Sequence, residues 1–176
     1  EPDFDTPDFI KEAAITAIKA GFTKYTPTTG TDELKTLVCE KFKKDNSLNY
    51  DSRQIVVSCG AKHSIFNTLL VLINKGDEVL IPSPYWVSYP EMVALCEGKA
   101  RFIETSPKNN FKITLEDLEK NISSKTKALI LNSPSNPTGC VYTQDELKEI
   151  ARVCVAKKLL VISDEIYEKL IYDNLK

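Results

Sequence analysis

Ala128-Leu129-Ile130-Leu131-Asn132-Ser133-Pro134-Ser135-Asn136-Pro137-Thr138-Gly139 sets four apolar residues directly against a stiff polar loop. A short continuous apolar run bounded by turn residues is the pattern of a strand buried on both faces. In an open α/β sheet such a strand delivers whatever follows it to the carboxyl edge, where these folds bind ligands. The loop holds two X-Pro bonds, and proline is the residue before which a cis peptide is affordable.

Working outward, four more apolar runs have the same character: Ile55-Val56-Val57, Val79-Leu80-Ile81, Arg101-Phe102-Ile103 and Leu159 to Ile162. Amphipathic segments separate them. Gly76 follows one such segment, Ile65 to Lys75; Thr114 opens another around Leu118; and Thr143-Gln144-Asp145-Glu146 forms a capping box before Leu147, Ile150, Ala151 and Cys154. Alternating strands and helices predict an α/β fold of three layers, a mostly parallel sheet of about five strands flanked by helices. Residues 1–50 read differently. Thr6-Pro7-Asp8 predicts a helix start, with Ile10, Ala14, Ala17 and Ile18 at helical spacing and Gly21 at the stop. A second helix is predicted from about Thr31, with Leu34, Leu37 and Val38 facing inward. The division expected is therefore a lead-in over 1–50 and a sheet domain over 51–176.

A net charge of −2 and a pI near 5.6 leave no basic field for nucleic acid or an anionic membrane surface. The longest apolar runs fall well short of a membrane span, and no signal-like segment opens the chain. Five scattered cysteines (39, 59, 96, 140, 154) form no C-x-x-C pair, and His63 is the only histidine. This predicts a soluble protein of the reducing cytoplasm with no metal site.

Four of the predicted strands run into segments with chemistry: Ser58 to Lys62, Pro82 to Trp86, the Asn132 to Gly139 loop, and Ser163-Asp164-Glu165-Ile166-Tyr167. If the strands are parallel, all four converge on one edge. Gly60 and Ala61 open a helix whose first N–H groups suit a phosphate, although such a pair also makes an ordinary tight turn. Trp86, the only tryptophan, is a flat ring after a Ser-Pro turn, apt for stacking as well as for core filling. Asp164 ends an apolar strand and needs a partner there, either a backbone amide or lysine, or a protonated heterocyclic nitrogen. Asn136 and Tyr167 offer hydrogen bonds to a ring oxygen, or serve as plain turn residues. Phosphate, stacking face, ring nitrogen and ring oxygen together describe pyridoxal 5′-phosphate.

Five motifs carry a resemblance: Glu1-Pro2-Asp3-Phe4-Asp5-Thr6-Pro7, Tyr25-Thr26-Pro27-Thr28-Thr29-Gly30, Pro84-Tyr85-Trp86-Val87-Ser88-Tyr89-Pro90, Asn132 to Gly139, and Ser163 to Tyr167. On these the chain resembles the class I, fold-type I, pyridoxal-phosphate aminotransferases, in the bacterial-type branch of aspartate and prephenate aminotransferases. The resemblance implies that Trp86 stacks on the cofactor ring and lines the amino-acid site. It implies that Asn136 and Tyr167 bond the ring oxygen, Asn136 also helping to hold substrate, and that Asp164 pairs with the ring nitrogen. Gly60, Ala61 and Lys62 match the phosphate segment. Lys62 is either a solvent-facing helix residue or the partner of a substrate's distal carboxylate; His63 receives no role. Tyr25 resembles the tyrosine that reaches the phosphate of a neighbouring subunit, which implies a homodimer. Ser83-Pro84 and Asn136-Pro137 are expected to be cis.

The same resemblance implies amino-group transfer between aspartate or glutamate and a 2-oxo acid, with prephenate, aromatic or alanine-type substrates as alternatives within the family. It places the Schiff-base lysine beyond Lys176, since neither Lys169 nor Lys176 sits in a Ser-x-x-Lys setting. No catalytic lysine is therefore expected within this chain. The rest of the large domain and the small domain are likewise expected beyond it. The chain is read as the N-terminal part of such an enzyme, inactive alone, or else as a non-catalytic cofactor- or partner-binding module.

Overall fold

The structure is a computed structural model that describes residues 3–173. The first two residues of the Glu1 motif, and Lys176, lie outside the described residues. The chain divides into two compact units, residues 1–57 and residues 58–176.

The second unit is built on four parallel strands, β1 (Glu78–Ser83), β2 (Lys99–Glu104), β3 (Thr126–Asn132) and β4 (Leu160–Asp164), in the order β2-β1-β3-β4. Side chains alternate across a strand, so each central strand feeds both faces of the sheet. Val79, Ile81, Ala128 and Ile130 pack on one face with Ile65, Leu69, Met92 and Val93, which come from helices α3 (Ala61–Leu72) and α4 (Ser88–Leu95). Leu80, Leu129 and Leu131 pack on the other with Leu118, Ile150, Val153 and Cys154, from α5 (Leu115–Asn121) and α6 (Gln144–Lys157). Helices therefore cover both faces, as the sequence predicts. The strand order reverses between β1 and β3, which opens a crevice outside their carboxyl ends.

The predicted caps of α5 and α6 form reciprocal capping boxes, Thr114 with Asp117 and Thr143 with Glu146. Helix α3 begins at Ala61, as the Gly60-Ala61 pair predicts, and ends at Leu72, short of the Lys75 end read from apolar periodicity. Gly60 explains the start. Its φ of +84° suits glycine and turns the chain abruptly into the helix.

The first unit contains α1 (Asp8–Lys19) and α2 (Asp32–Asn46). Helix α2 starts where expected, and Thr31 caps it by accepting from the Leu34 N–H. Three expectations fail here. Thr6 does not cap α1, because Pro7 takes the N-cap position and leaves Thr6 one residue too far out. Leu34 and Leu37 do not face inward; they are 43% and 53% exposed, while Lys35 is the residue of α2 that is buried, its Nζ 3.0 Å from Asp32 Oδ1 and 3.4 Å from Thr29 Oγ1. Ile55-Val56-Val57 is not a strand. Ile55 has extended dihedrals, but the Val57 N–H donates to the Thr29 carbonyl, 3.0 Å away in a loop, so the run belongs to no sheet among the described residues. Gly30 lets that contact form: its φ is +103°, and a Cβ there would lie 2.6 Å from Val57 Cγ2.

Candidate functional site

A cleft of about 310 Å³ lies at the carboxyl ends of the strands, lined by Gly60, Ala61, Lys62, Trp86, Tyr89, Asn132, Asn136, Asp164, Ile166 and Tyr167. All of these belong to the second unit. Seven of the eight residues singled out in the sequence therefore meet around one cavity. The eighth, Tyr25, is in the first unit and its side chain is fully exposed.

The N-terminus of α3 forms one wall. The first N–H groups of any helix lack intrahelical partners, and the dipole leaves positive charge there. Next to it, His63 Nδ1 accepts from the Cys59 N–H at 3.2 Å, so the imidazole braces the loop before the helix. Lys62 projects across the cleft mouth with its Nζ 4.9 Å from the centre of the Trp86 ring, within cation–π range. Trp86 is half-buried against the α3/α4 core and meets Tyr89 edge-to-face, with centroids 5.3 Å apart and planes at 87°.

Asp164 closes the floor. It is the last residue of β4 and is 8% exposed. Its Oδ2 accepts from the Tyr89 hydroxyl at 2.5 Å and its Oδ1 from the Ile166 N–H at 3.2 Å. Burial, together with the hydrogen bond it donates to the Asp164 carboxylate, pushes the Tyr89 phenol far above the usual tyrosine range. Tyr89 therefore remains a donor and Asp164 an acceptor.

Asn132, in register with Asp164 across the β3–β4 ladder, joins the two loops. Its Nδ2 donates to the Asp164 carbonyl at 2.9 Å, and its Oδ1 accepts from the Asn136 N–H at 2.7 Å. The loop closes on itself through Gly139 N–H to the Ser135 carbonyl and Ser135 N–H to the Cys140 carbonyl. Ser83-Pro84 and Asn136-Pro137 are cis as expected, and Ser133-Pro134 is cis as well. Among the described residues no cluster of three or more metal-ligating side chains occurs.

Sequence reasoning missed Tyr89 and Asn132. Tyr89 follows Trp86 by three residues at the start of a helix, a spacing that puts two side chains on one face. Asn132 is the polar end of an apolar strand beside another strand that also ends in a polar residue.

A family model, "Aminotransferase class I and II", matches residues 1–176. The chain belongs to that family. It is 53% identical over 174 residues to an aspartate aminotransferase of Bacillus sp. (strain YM-2), covering 99% of this chain and 44% of that protein. It is 52% identical over 177 residues to a probable aspartate/prephenate aminotransferase of Rhizobium leguminosarum bv. phaseoli, covering 100% of this chain and 44% of the relative. The crystal structure of the aspartate aminotransferase from Rhizobium meliloti superposes with a TM-score of 0.97 at 42% identity, over 99% of this chain and 44% of the other. The chain thus spans under half the length of the aminotransferases it matches. Similarity to those structures extends through the cleft-bearing unit and agrees with its four-stranded, helix-flanked α/β architecture.

Proposed function

We propose that the protein carrying this chain is a pyridoxal 5′-phosphate-dependent aminotransferase that takes the amino group of aspartate or glutamate and delivers it to a 2-oxo acid. The observation that carries this is one cleft combining a helix N-terminus, a half-buried indole, a buried carboxylate, an asparagine and a tyrosine. That donor set fits the cofactor group by group. Backbone N–H groups at Gly60, Ala61 and Lys62 suit its phosphate. Trp86 offers a stacking face, Asn136 and Tyr167 offer donors to the ring oxygen, and Asp164 offers a buried negative charge to a protonated ring nitrogen. When bound, pyridoxal phosphate supplies an electron sink for charge developing at the substrate α-carbon. Asp164 keeps that sink effective by favouring the cationic ring in a site of low dielectric. Lys62, whose ammonium stands over Trp86, is assigned to the distal carboxylate of a dicarboxylic substrate, with Trp86 and Asn136 assigned to the amino-acid site.

Residues 51–176 are assigned to the large cofactor-binding domain and residues 1–50 to a lead-in that meets a second copy in a homodimer. The exposure of Tyr25 and of Phe9, Ile18 and Phe22 supports that contact, with Tyr25 directed at the partner's phosphate. All five cysteines are free thiols, in keeping with a cytoplasmic setting.

Lys62 is the one lysine among the cleft-lining residues, and its Nζ is engaged over the indole. The covalent link to the cofactor is accordingly assigned to a lysine outside residues 1–176. Borohydride reduction of the loaded full-length protein followed by peptide mass spectrometry tests both points. A pyridoxyl adduct on a peptide outside this chain is expected; an adduct on any lysine within it, or none anywhere, would overturn the assignment.

A further inference from the structure

Tyr89 lies against two of the residues proposed to meet the cofactor, yet neither its sequence position nor the resemblance gave it a part. It is 2% exposed, sits in the first turn of α4, and donates its hydroxyl to Asp164 Oδ2 at 2.5 Å across 75 residues of sequence. Its ring meets that of Trp86 edge-to-face. One side chain thus contacts both the stacking surface and the carboxylate.

We propose that Tyr89 is a positioning residue that fixes the rotamer of Asp164, so that the carboxylate presents a constant acceptor to a ring nitrogen in the cleft. This rests on the proposed pairing of Asp164 with that nitrogen. Two physical effects act together. With Oδ1 held by the Ile166 N–H and Oδ2 by Tyr89, rotation of the carboxylate about its Cβ–Cγ bond breaks both hydrogen bonds. A hydrogen bond from a phenol to a carboxylate is also short and strong, so Tyr89 holds that oxygen firmly in place. Burial of the phenol beside that charge keeps its proton in place, so the donor and acceptor do not exchange roles.

The test compares full-length apoprotein with its Tyr89→Phe variant, in binding of pyridoxal 5′-phosphate and of its 1-deaza analogue, in which C–H replaces the ring nitrogen. The analogue keeps phosphate, ring face and ring oxygen, so the ratio of the two affinities isolates the Asp164 contact. The unsubstituted protein should prefer the natural cofactor, and Tyr89→Phe should reduce that preference by about tenfold, the scale of one hydrogen bond to a charged group. Affinity for the deaza analogue should stay the same. A preference fully retained in Tyr89→Phe, or equal weakening of both ligands, overturns the role of Tyr89 alone. No preference in the unsubstituted protein overturns the Asp164 pairing beneath it. Should Tyr89→Phe fail to fold, 3-fluorotyrosine installed at position 89 keeps ring and hydroxyl. Its fluorine resonance should move further with the natural cofactor than with the analogue, and identical movement overturns the proposal.

Discussion

Asn132 spends both ends of its carboxamide on neighbours in the cleft, one on the Asp164 carbonyl and one on the Asn136 N–H. Asn132→Ala removes both bonds; the Asp164 carbonyl keeps the Ser133 N–H at 3.2 Å, but the partly buried Asn136 N–H is left unpaired, at a cost of about 1–3 kcal/mol. Urea denaturation of the variant should report a loss in that range, together with weaker cofactor binding; a stability loss with unchanged binding would confine Asn132 to a structural role. Lys62 makes the opposite case, an exposed cation whose worth lies in what it meets. Under the proposed function, Lys62→Ala in the full-length protein should raise KM for aspartate far more than for an aromatic amino acid, and equal effects would remove the distal-carboxylate role. The residues legible in the sequence were those whose chemistry is conspicuous where a strand ends: Asp164, Asn136, Trp86. Tyr89 and Asn132 were not legible, because their part depends on which strand ends lie side by side. That order, β3 beside β4 and β1 beside β3, is set by packing over the whole sheet.

Helix α6 is held at its start by Thr143, which accepts from the Glu146 N–H, and by Glu146, which accepts from the Thr143 N–H at 2.7 Å. Thr143→Ala should cost ~1 kcal/mol in urea denaturation. Lys112 adds a charge to the same corner, its Nζ 2.8 Å from both Glu146 oxygens. Burial opposes ionisation of Glu146, but Lys112 and the Thr143 donors outweigh it and hold the carboxyl below its ordinary value of 4.5. A carboxyl depressed in the folded state contributes stability above its unfolded pKa, and that contribution fades as pH falls through the folded one. The destabilisation caused by Glu146→Gln should therefore be largest near neutral pH and shrink as the pH falls below about 4.5. A constant difference across that range would remove the ionic contribution. Caps of this kind were legible because four adjacent residues encode them. Ile55 to Val57 had a strand's composition but no neighbouring strand; its one ladder-like bond goes to Thr29. Composition predicts extended backbone, and pairing decides whether it becomes sheet.

Over the whole chain, apolar surface is distributed unevenly. The sheet faces of the second unit are covered by helices, whereas Phe9, Ile18 and Phe22 of the first unit are 76%, 64% and 65% exposed. At one edge of the sheet, β4 leaves Leu160 and Val161 each 43% exposed, with no further strand beside it among the described residues. An edge with exposed apolar side chains of this kind is a template for pairing with another chain. Residues 1–176 expressed by themselves should self-associate as concentration rises, by light scattering, and Val161→Lys should lower that tendency. A monodisperse monomer at all concentrations would contradict the expectation.

The solitary indole has a practical consequence. Within residues 1–176 every photon of tryptophan emission originates at Trp86, in the wall of the cleft and within 5.3 Å of the Tyr89 ring. Occupancy of the site is thereby written into the intrinsic fluorescence of this chain, and quenching or a spectral shift reads it without any added label.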